Sequence, residues 1–254
     1  MASQSDNHAA RVHDLFAAIA RRYDRLNDVL SLGLHRRWKR RLVKMAEDRR
    51  PETEDRWRVL DLCCGTGDIA RRFEGRVVGV DFTIEMLRIA AARTAASVPP
   101  APPDSAAAQP SRLRLLTLVQ ADALRLPFAD NSFDVVSVGY GLRNLADLAA
   151  GLREIHRVLR PGGRLLSLDF GKPECALWRR LYFAHLRFWV PVLGRMLAGH
   201  REAYAYILPS LENYPGQRGV QSVMEQTGFL ECGFEEFCGG AMAINHGRKS
   251  SRRT

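Results

Sequence analysis

Residues 58–81 read RVLDLCCGTGDIARRFEGRVVGVD. Two short apolar runs, each carrying an aspartate, flank a segment that opens on a glycine-bearing turn. Gly65 and Gly67 remove side chains where a strand bends sharply into a helix. There the backbone can approach a ligand, and a helix N-terminus offers free N–H groups. This strand–turn–helix–strand pattern is the strongest constraint in the chain. It predicts a parallel β-sheet with helices on both faces, because apolar runs separated by helical segments are buried on both sides.

The same alternation continues. Strands are predicted at 58–63, 76–81, 114–120, 133–139 and 164–170, and helices at 67–73, 83–95 and 146–159. Residues 8–48 read as helical with a break around Ser31–Gly33. SVPPAPPDSAAAQPS, 97–111, has little capacity to pack and is read as a flexible insertion. After a helix in QRGVQSVMEQTGF, strand-like runs at 229–238 and 241–246 lack a crossover helix, which predicts an antiparallel hairpin on the sheet edge. The expected organisation is a helical lid over 1–50 and one α/β domain over 51–254, with a helical insertion at 174–215 on the substrate side.

With 254 residues, 46% of them hydrophobic, the chain is long enough to bury one substantial core. The formal net charge of +10 gathers in HRRWKRR (35–41) and HGRKSSRRT (246–254), a pattern that attracts nucleic acid, anionic lipid or acidic ligands, or simply a solvated surface. No zinc-finger spacing or RNA-recognition signature accompanies it, so no nucleic-acid partner is expected. The adjacent pair Cys63 and Cys64 cannot supply the usual zinc-ligand spacing, and no metal site is predicted. The opening residues lack the apolar core of a signal peptide, and no run is long and apolar enough to cross a bilayer, so a cytoplasmic protein is expected.

Asp81 closes the second strand, where a carboxylate can accept both hydroxyls of a ribose. Its other reading is a cap for the helix over TIEML, and the two roles are compatible. Asp122 closes the third strand and can take a hydrogen bond from an adenine amino group, or cap its own loop. The spacing Gly65-x-Gly67-x-x-Ala70 also satisfies a relaxed dinucleotide fingerprint, so the turn alone admits a nicotinamide cofactor.

VLDLCCGTGD, VVGVDFTIEML, ADALRLPFADNSFDVV and REIHRVLRPGGRLL come in the order that resembles Rossmann-like, seven-stranded S-adenosylmethionine-dependent methyltransferases. RYDRLNDVLSLGLHRRWKR (22–40), GYGLRNLAD (139–147), LDFGKP (168–173) and YAYILPSLENYPGQ (204–217) further resemble the ubiquinone/menaquinone biosynthesis C-methyltransferase family. The resemblance runs from about residue 12 to residue 249 and implies S-adenosyl-L-methionine as cofactor. It places that cofactor on Asp61, Gly65, Thr66, Gly67, Asp81, Phe82, Asp122, Ala123 and Gly139. Two positions depart from the pattern. Cys63 stands where the class often has glycine, and its small size predicts little disturbance; Gly139 stands where relatives often have serine, so any contact there is lost or made by backbone.

The family implies methylation of a ring carbon on a polyprenylated quinol, with demethylmenaquinol to menaquinol as the leading reaction and the ubiquinone benzoquinol ring as the alternative. A sulfonium methyl is already electrophilic, so the protein must activate and align the carbon nucleophile. Losing a proton from a neighbouring ring hydroxyl does this, which calls for a proton route and a cation beside the phenolate. Family resemblance points to Arg143, Asn144 and Asp122 as the activating set. Arginine resists deprotonation, so Arg143 is expected to stabilise the oxyanion while Asp122 and water carry the proton. Tyr23, Asn27, His35, Tyr206 and Ser210 are expected to line the substrate side; for His35, capping or packing competes with a role as base. The apolar segment 174–200, with Leu177, Trp178, Leu181, Phe188 and Trp189 interleaved with arginines, suits an interfacial helix at a membrane surface. Packing on the sheet or a homodimer surface is the alternative reading.

Overall fold

The computed structural model describes residues 14, 17, 20, 27–29, 31–48, 57–96, 115–193 and 207–251. The insertion at 97–111, most of the first thirty residues, Tyr23 and Tyr206 lie outside them. Seven strands form one sheet: β1 (Arg58–Leu62), β2 (Arg76–Asp81), β3 (Leu115–Gln120), β4 (Phe133–Gly139), β5 (Leu159–Phe170), β6 (Leu230–Phe237) and β7 (Met242–Arg248). Their order is β3-β2-β1-β4-β5-β7-β6. The first five are parallel, and β7 runs antiparallel to both β5 and β6, which gives the expected edge hairpin. Strand order reverses between β1 and β4, and ligands of such sheets bind at the carboxyl ends of the strands beside that reversal.

The helices are α1 (His35–Glu47), α2 (Ile84–Ala96), α3 (Leu148–Val158), α4 (Ala176–Leu193), α5 (Ile207–Asn213) and α6 (Gly216–Gln226). Side chains alternate along a strand, so each strand feeds two cores. Leu60, Val136 and Val138 meet Leu152 and Ile155 of α3 and Val220 and Met224 of α6. On the other face Val59 and Val135 meet Trp38, Leu42, Val43 and Ala46 of α1. Thus α1, in the segment expected to form a lid, covers the sheet as a packed helix. The loop after β3 is clamped by Arg157, whose guanidinium donates to Phe128 O at 2.8 Å, Leu126 O at 3.1 Å and Asp130 at 2.7 Å.

Two local expectations are corrected. The helix predicted at 67–73 is a single 3-10 turn, Ala70–Arg72, preceded by turns. Gly65 and Gly67 both take positive φ, +53° and +75°, so no helix can start before Asp68, and Gly75 already leads into β2. β5 begins at Leu159, five residues ahead of the strand predicted at 164–170, so RPGG is its first part, with a register shift in the pairing between Phe133 and Val135.

Candidate active site

The five parallel strands deliver their functional residues to one edge. The turn after β1 is held to β2 by Asp81: Gly65 N donates to one carboxylate oxygen at 2.7 Å and Thr83 N to the other at 2.9 Å. Burial pushes the Asp81 carboxyl up, against the pull of these amide donors. Asp81 therefore caps the helix side and also braces the turn. No atom lies within 4 Å of where a Cβ on Gly65 would sit, so the turn leaves a cradle beside it. Gly67 is closed in, since a Cβ there would stand 3.2 Å from Ala90 Cβ.

Cys63 sits at φ +55°, in the left-handed region that glycine occupies without strain. The departure at this position is thus conformational as well as steric, and it stores about 1–2 kcal/mol of backbone strain. Its thiol lies at the centre of the strand ends. Burial raises its pKa first, and Asp81, Asp61, Asp169 and Asp122 each add to the rise. Carboxylates at the ends of four strands thus bear electrostatically on this thiol. Gly141 in GYGLRN makes room for it, because a Cβ there would fall 2.6 Å from Cys63 Cβ.

Asp61 is buried on β1 opposite Ser137 of β4, whose hydroxyl donates to it at 2.7 Å. Burial raises its carboxyl to about 7, while Ser137, the Ala70 amide and the charge of Lys39 oppose the rise. Its Oδ2 is buried with no hydrogen-bond partner among the described residues. Lys39 of α1 is itself buried, bonded to Asp68 at 2.8 Å, and Arg72 holds the same carboxylate at 2.9 Å. Lys39 and Arg72 keep Asp68 ionised, down at about 2, despite its burial. The N-terminal helix is therefore tied to the turn after β1 by a buried ion pair.

Beyond β4 the chain makes a 3-10 turn, Leu142–Asn144, entered through Tyr140 at φ +61°. This conformation turns the Tyr140 carbonyl toward the turn, where it accepts from Arg143 at 2.9 Å and Asn144 Nδ2 at 3.1 Å. Arg143 also pairs with Asp169, at the end of β5, at 2.8 Å, with side-chain exposures of 8% and 4%. Its guanidinium lies 4.9 Å from the Phe170 ring and 5.9 Å from that of Tyr140. Tyr182 of α4, half-buried, and Tyr214, buried just after α5, lie close enough to feel both charges of the pair.

The remaining predicted residues divide. Thr66 and Ala123 are buried beside the strand ends, and Phe82 is 41% exposed. Asp122 caps its own loop through Leu124 N at 2.8 Å. It stands three strands away from β4, roughly 14 Å at the usual strand spacing, so it and Arg143 occupy opposite ends of the crevice. The space a serine at position 139 would need is filled by Ile69, whose Cδ1 lies 2.3 Å from a Cβ built there. His35 is buried, bonded through Nδ1 to Ser31 Oγ at 2.8 Å, and burial followed by the charge of Lys39 lowers its pKa. These contacts match the capping and packing reading. Ser31 N donates to Asn27 O at 3.0 Å, and Ser210 is buried and accepts from Tyr214 N at 3.0 Å through its carbonyl. Among residues not singled out from the sequence, Asp169, Tyr140 and Tyr214 stand out. Asp169 lay within the LDFGKP signature, but nothing in that string tells which residue it pairs with.

A cradle at Gly65, a carboxylate at the end of β2 and an unpartnered buried oxygen on Asp61 together fit a ligand with a hydroxyl-rich end and a cationic end. S-adenosylmethionine has both. Among the described residues, no group of three His, Cys, Asp or Glu is placed to hold a metal. Sheet and site together define a Rossmann-like methyltransferase fold. The chain is similar to a SAM-dependent methyltransferase from Thermotoga maritima, with 18% identity, a TM-score of 0.59, and 94% of this chain and 99% of that one covered. It is also similar to Haemonchus contortus phosphoethanolamine N-methyltransferase 2 in complex with S-adenosyl-L-methionine, with 17% identity, a TM-score of 0.56, and coverage of 84% of this chain and 52% of that one. At these identities the likeness is one of fold. The sequence model of the ubiE/COQ5 methyltransferase family matches residues 4–249. Demethylmenaquinone methyltransferase of Staphylococcus aureus is 33% identical over 258 residues, covering 98% of each chain. The chain belongs to the ubiE/COQ5 methyltransferase family and is an S-adenosylmethionine-dependent C-methyltransferase.

Proposed function

We propose that this enzyme methylates a ring carbon of a polyprenylated quinol, with demethylmenaquinol as the substrate, and that it meets this substrate at a membrane surface. S-adenosylmethionine, when bound, supplies an electrophilic methyl group. Asp81 would accept from its ribose, Asp122 would serve the adenine side, and Asp61 would hold the cationic methionine end with Gly65, Thr66 and Gly67. Arg143 stabilises the ring oxyanion, Asn144 orients the ring hydroxyl or a water, and a water carries the proton away. The Arg143–Asp169 pair carries the reading: a buried guanidinium between aromatic rings suits a flat, anionic ring that must be kept from bulk water. Its carboxylate partner fixes the guanidinium and compensates its burial before the ring loses its proton. Distance along the sheet separates Asp122 from this step and leaves it on the cofactor side.

No described helix is long and apolar enough to cross a membrane. The exposed apolar side of α4, with Leu177 at 67% and Phe188 at 64%, favours contact with the bilayer that holds the substrate's tail. The deciding experiment incubates the purified protein with methyl-labelled S-adenosylmethionine and reduced demethylnaphthoquinol or demethylbenzoquinol. Label on the naphthoquinol is expected. Label on the benzoquinol alone would replace the substrate, and label on neither would end the proposal.

Asp61 gives a pH test of the cofactor assignment. Its native carboxyl titrates near 7, against an ordinary 3.8. The native state thus holds a proton that the unfolded state has released, and stability without the donor falls as pH rises from about 4 to about 7. A cationic donor needs the carboxylate, so its affinity is expected to rise as pH increases through about 7 and then level off. Asp61→Asn should bind more weakly above that point, with a flat profile. Calorimetric titrations across this range check it, and a wild-type affinity that falls with pH would remove Asp61 from the site.

A further inference from the structure

Helix α4 presents three faces at about 100° per residue. Leu186 is buried and the Tyr182 hydroxyl donates to Ala241 O at 3.3 Å, so these two define the side against the protein. Leu177, Leu181 and Phe188 share a second side and are 67%, 55% and 64% exposed. Arg180, Phe183 and Arg187 share the third. With Lys172, Arg179 and Glu212 they line an open cavity of about 730 Å³.

Four cations meet one carboxylate in this cavity. Arg187 takes the carboxylate of Glu212 at 2.7 Å, and Lys172 Nζ donates to the Glu212 main-chain oxygen at 3.1 Å. Arg179 donates to Pro173 O at 3.4 Å. Lys172, Arg179 and Arg180 therefore have no carboxylate partner among the described residues. Burial and the charge of Arg179 both lower the Lys172 pKa, as expected where cations converge without compensation. A set of guanidiniums and an ammonium around a concave space matches the oxygens of a phosphate. The apolar side of the same helix adjoins it, which places the anion at the level of a headgroup when Leu177, Leu181 and Phe188 enter the acyl region.

We infer that this cavity binds the phosphate of an anionic membrane lipid and so seats α4 on the bilayer. The inference rests on the membrane-surface reading above and deepens it. It makes attachment depend on lipid charge, where an apolar face alone would not.

The test is co-sedimentation of the full chain with phosphatidylcholine vesicles and with the same vesicles doped with phosphatidylglycerol. Tighter binding to the doped vesicles is expected, with an affinity loss of about fivefold for each cation removed in Arg179→Gln/Arg180→Gln. Arg179→Lys/Arg180→Lys should keep most of the binding, and methylation of a short-tailed soluble quinol should be unchanged in both variants. Equal binding to the two vesicle types would overturn the site, as would an unaffected glutamine variant. So would inorganic phosphate or a short RNA duplex displacing the protein at concentrations that leave overall charge screening unchanged. Methyl transfer without charge-dependent vesicle binding removes only the lipid site. Charge-dependent binding without transfer to any quinol removes only the proposed reaction.

Discussion

Arg143→Met is expected to lower methyl transfer by about 10²–10³-fold and to destabilise the fold by roughly 3–5 kcal/mol. The two losses have different origins and can be separated. Arg143 and Asp169 are both buried, and removing the cation leaves a carboxylate without its charge partner, although Phe170 N still donates to it at 2.9 Å. Replacing both members by apolar residues, Arg143→Met with Asp169→Leu, removes that penalty and should recover much of the stability. It should not recover turnover, because no cation then faces the ring oxygen. Asp169→Asn tests the positioning role alone: the guanidinium keeps its bond to the Tyr140 carbonyl but loses its fixed anion. For that variant kcat is expected to fall while donor binding is unchanged. Urea denaturation, donor calorimetry and single-turnover transfer to a soluble quinol distinguish these outcomes. A double variant that transfers methyl at the wild-type rate would reduce Arg143 to a structural cation.

That pair also marks where the sequence stops being readable. Strand runs, the glycine turn and the edge hairpin are local or periodic signals, and apart from the early start of β5 they fall where the pattern of apolar residues placed them. The place of Asp81 was legible because a carboxylate that closes the second apolar run must fall at the carboxyl end of β2, the edge where such sheets bind ligands. The partner of Asp61 was not, since Ser137 reaches it only through the register of β1 against β4. Asp169 and Arg143 are 26 residues apart and meet because their strands are neighbours, a fact of sheet order that no spacing encodes. Cys63 shows a subtler limit. Its size fits, yet the position demands a positive φ, and backbone dihedrals are invisible where glycine's usual signature is missing. The helix expected at 67–73 failed for the opposite reason, because the two glycines that announced the site consumed the residues a helix needed.

Asp81→Ala is expected to weaken binding of S-adenosylhomocysteine by about 10²–10⁴-fold, on the basis that each hydrogen bond to a charged group contributes roughly 1.5–3 kcal/mol. Part of that loss is indirect. In the structure both carboxylate oxygens accept from the protein, Gly65 N at 2.7 Å and Thr83 N at 2.9 Å, so alanine also frees the turn that forms the cradle. A carboxylate oxygen has two lone pairs, which lets Asp81 brace the turn and still receive ribose hydroxyls. The direct part is isolated by pairing the variant with a ligand lacking the 2′-hydroxyl. Wild-type protein should discriminate against the deoxy ligand by at least tenfold, and Asp81→Ala should bind both forms alike. Asp81→Asn keeps one oxygen for an amide donor and should fall between them, with thermal stability close to wild type. Calorimetry with the two ligands and three proteins completes the cycle. Full discrimination surviving in Asp81→Ala would mean that another group holds the ribose, and that Asp81 does no more than fasten the end of β2 to the turn after β1.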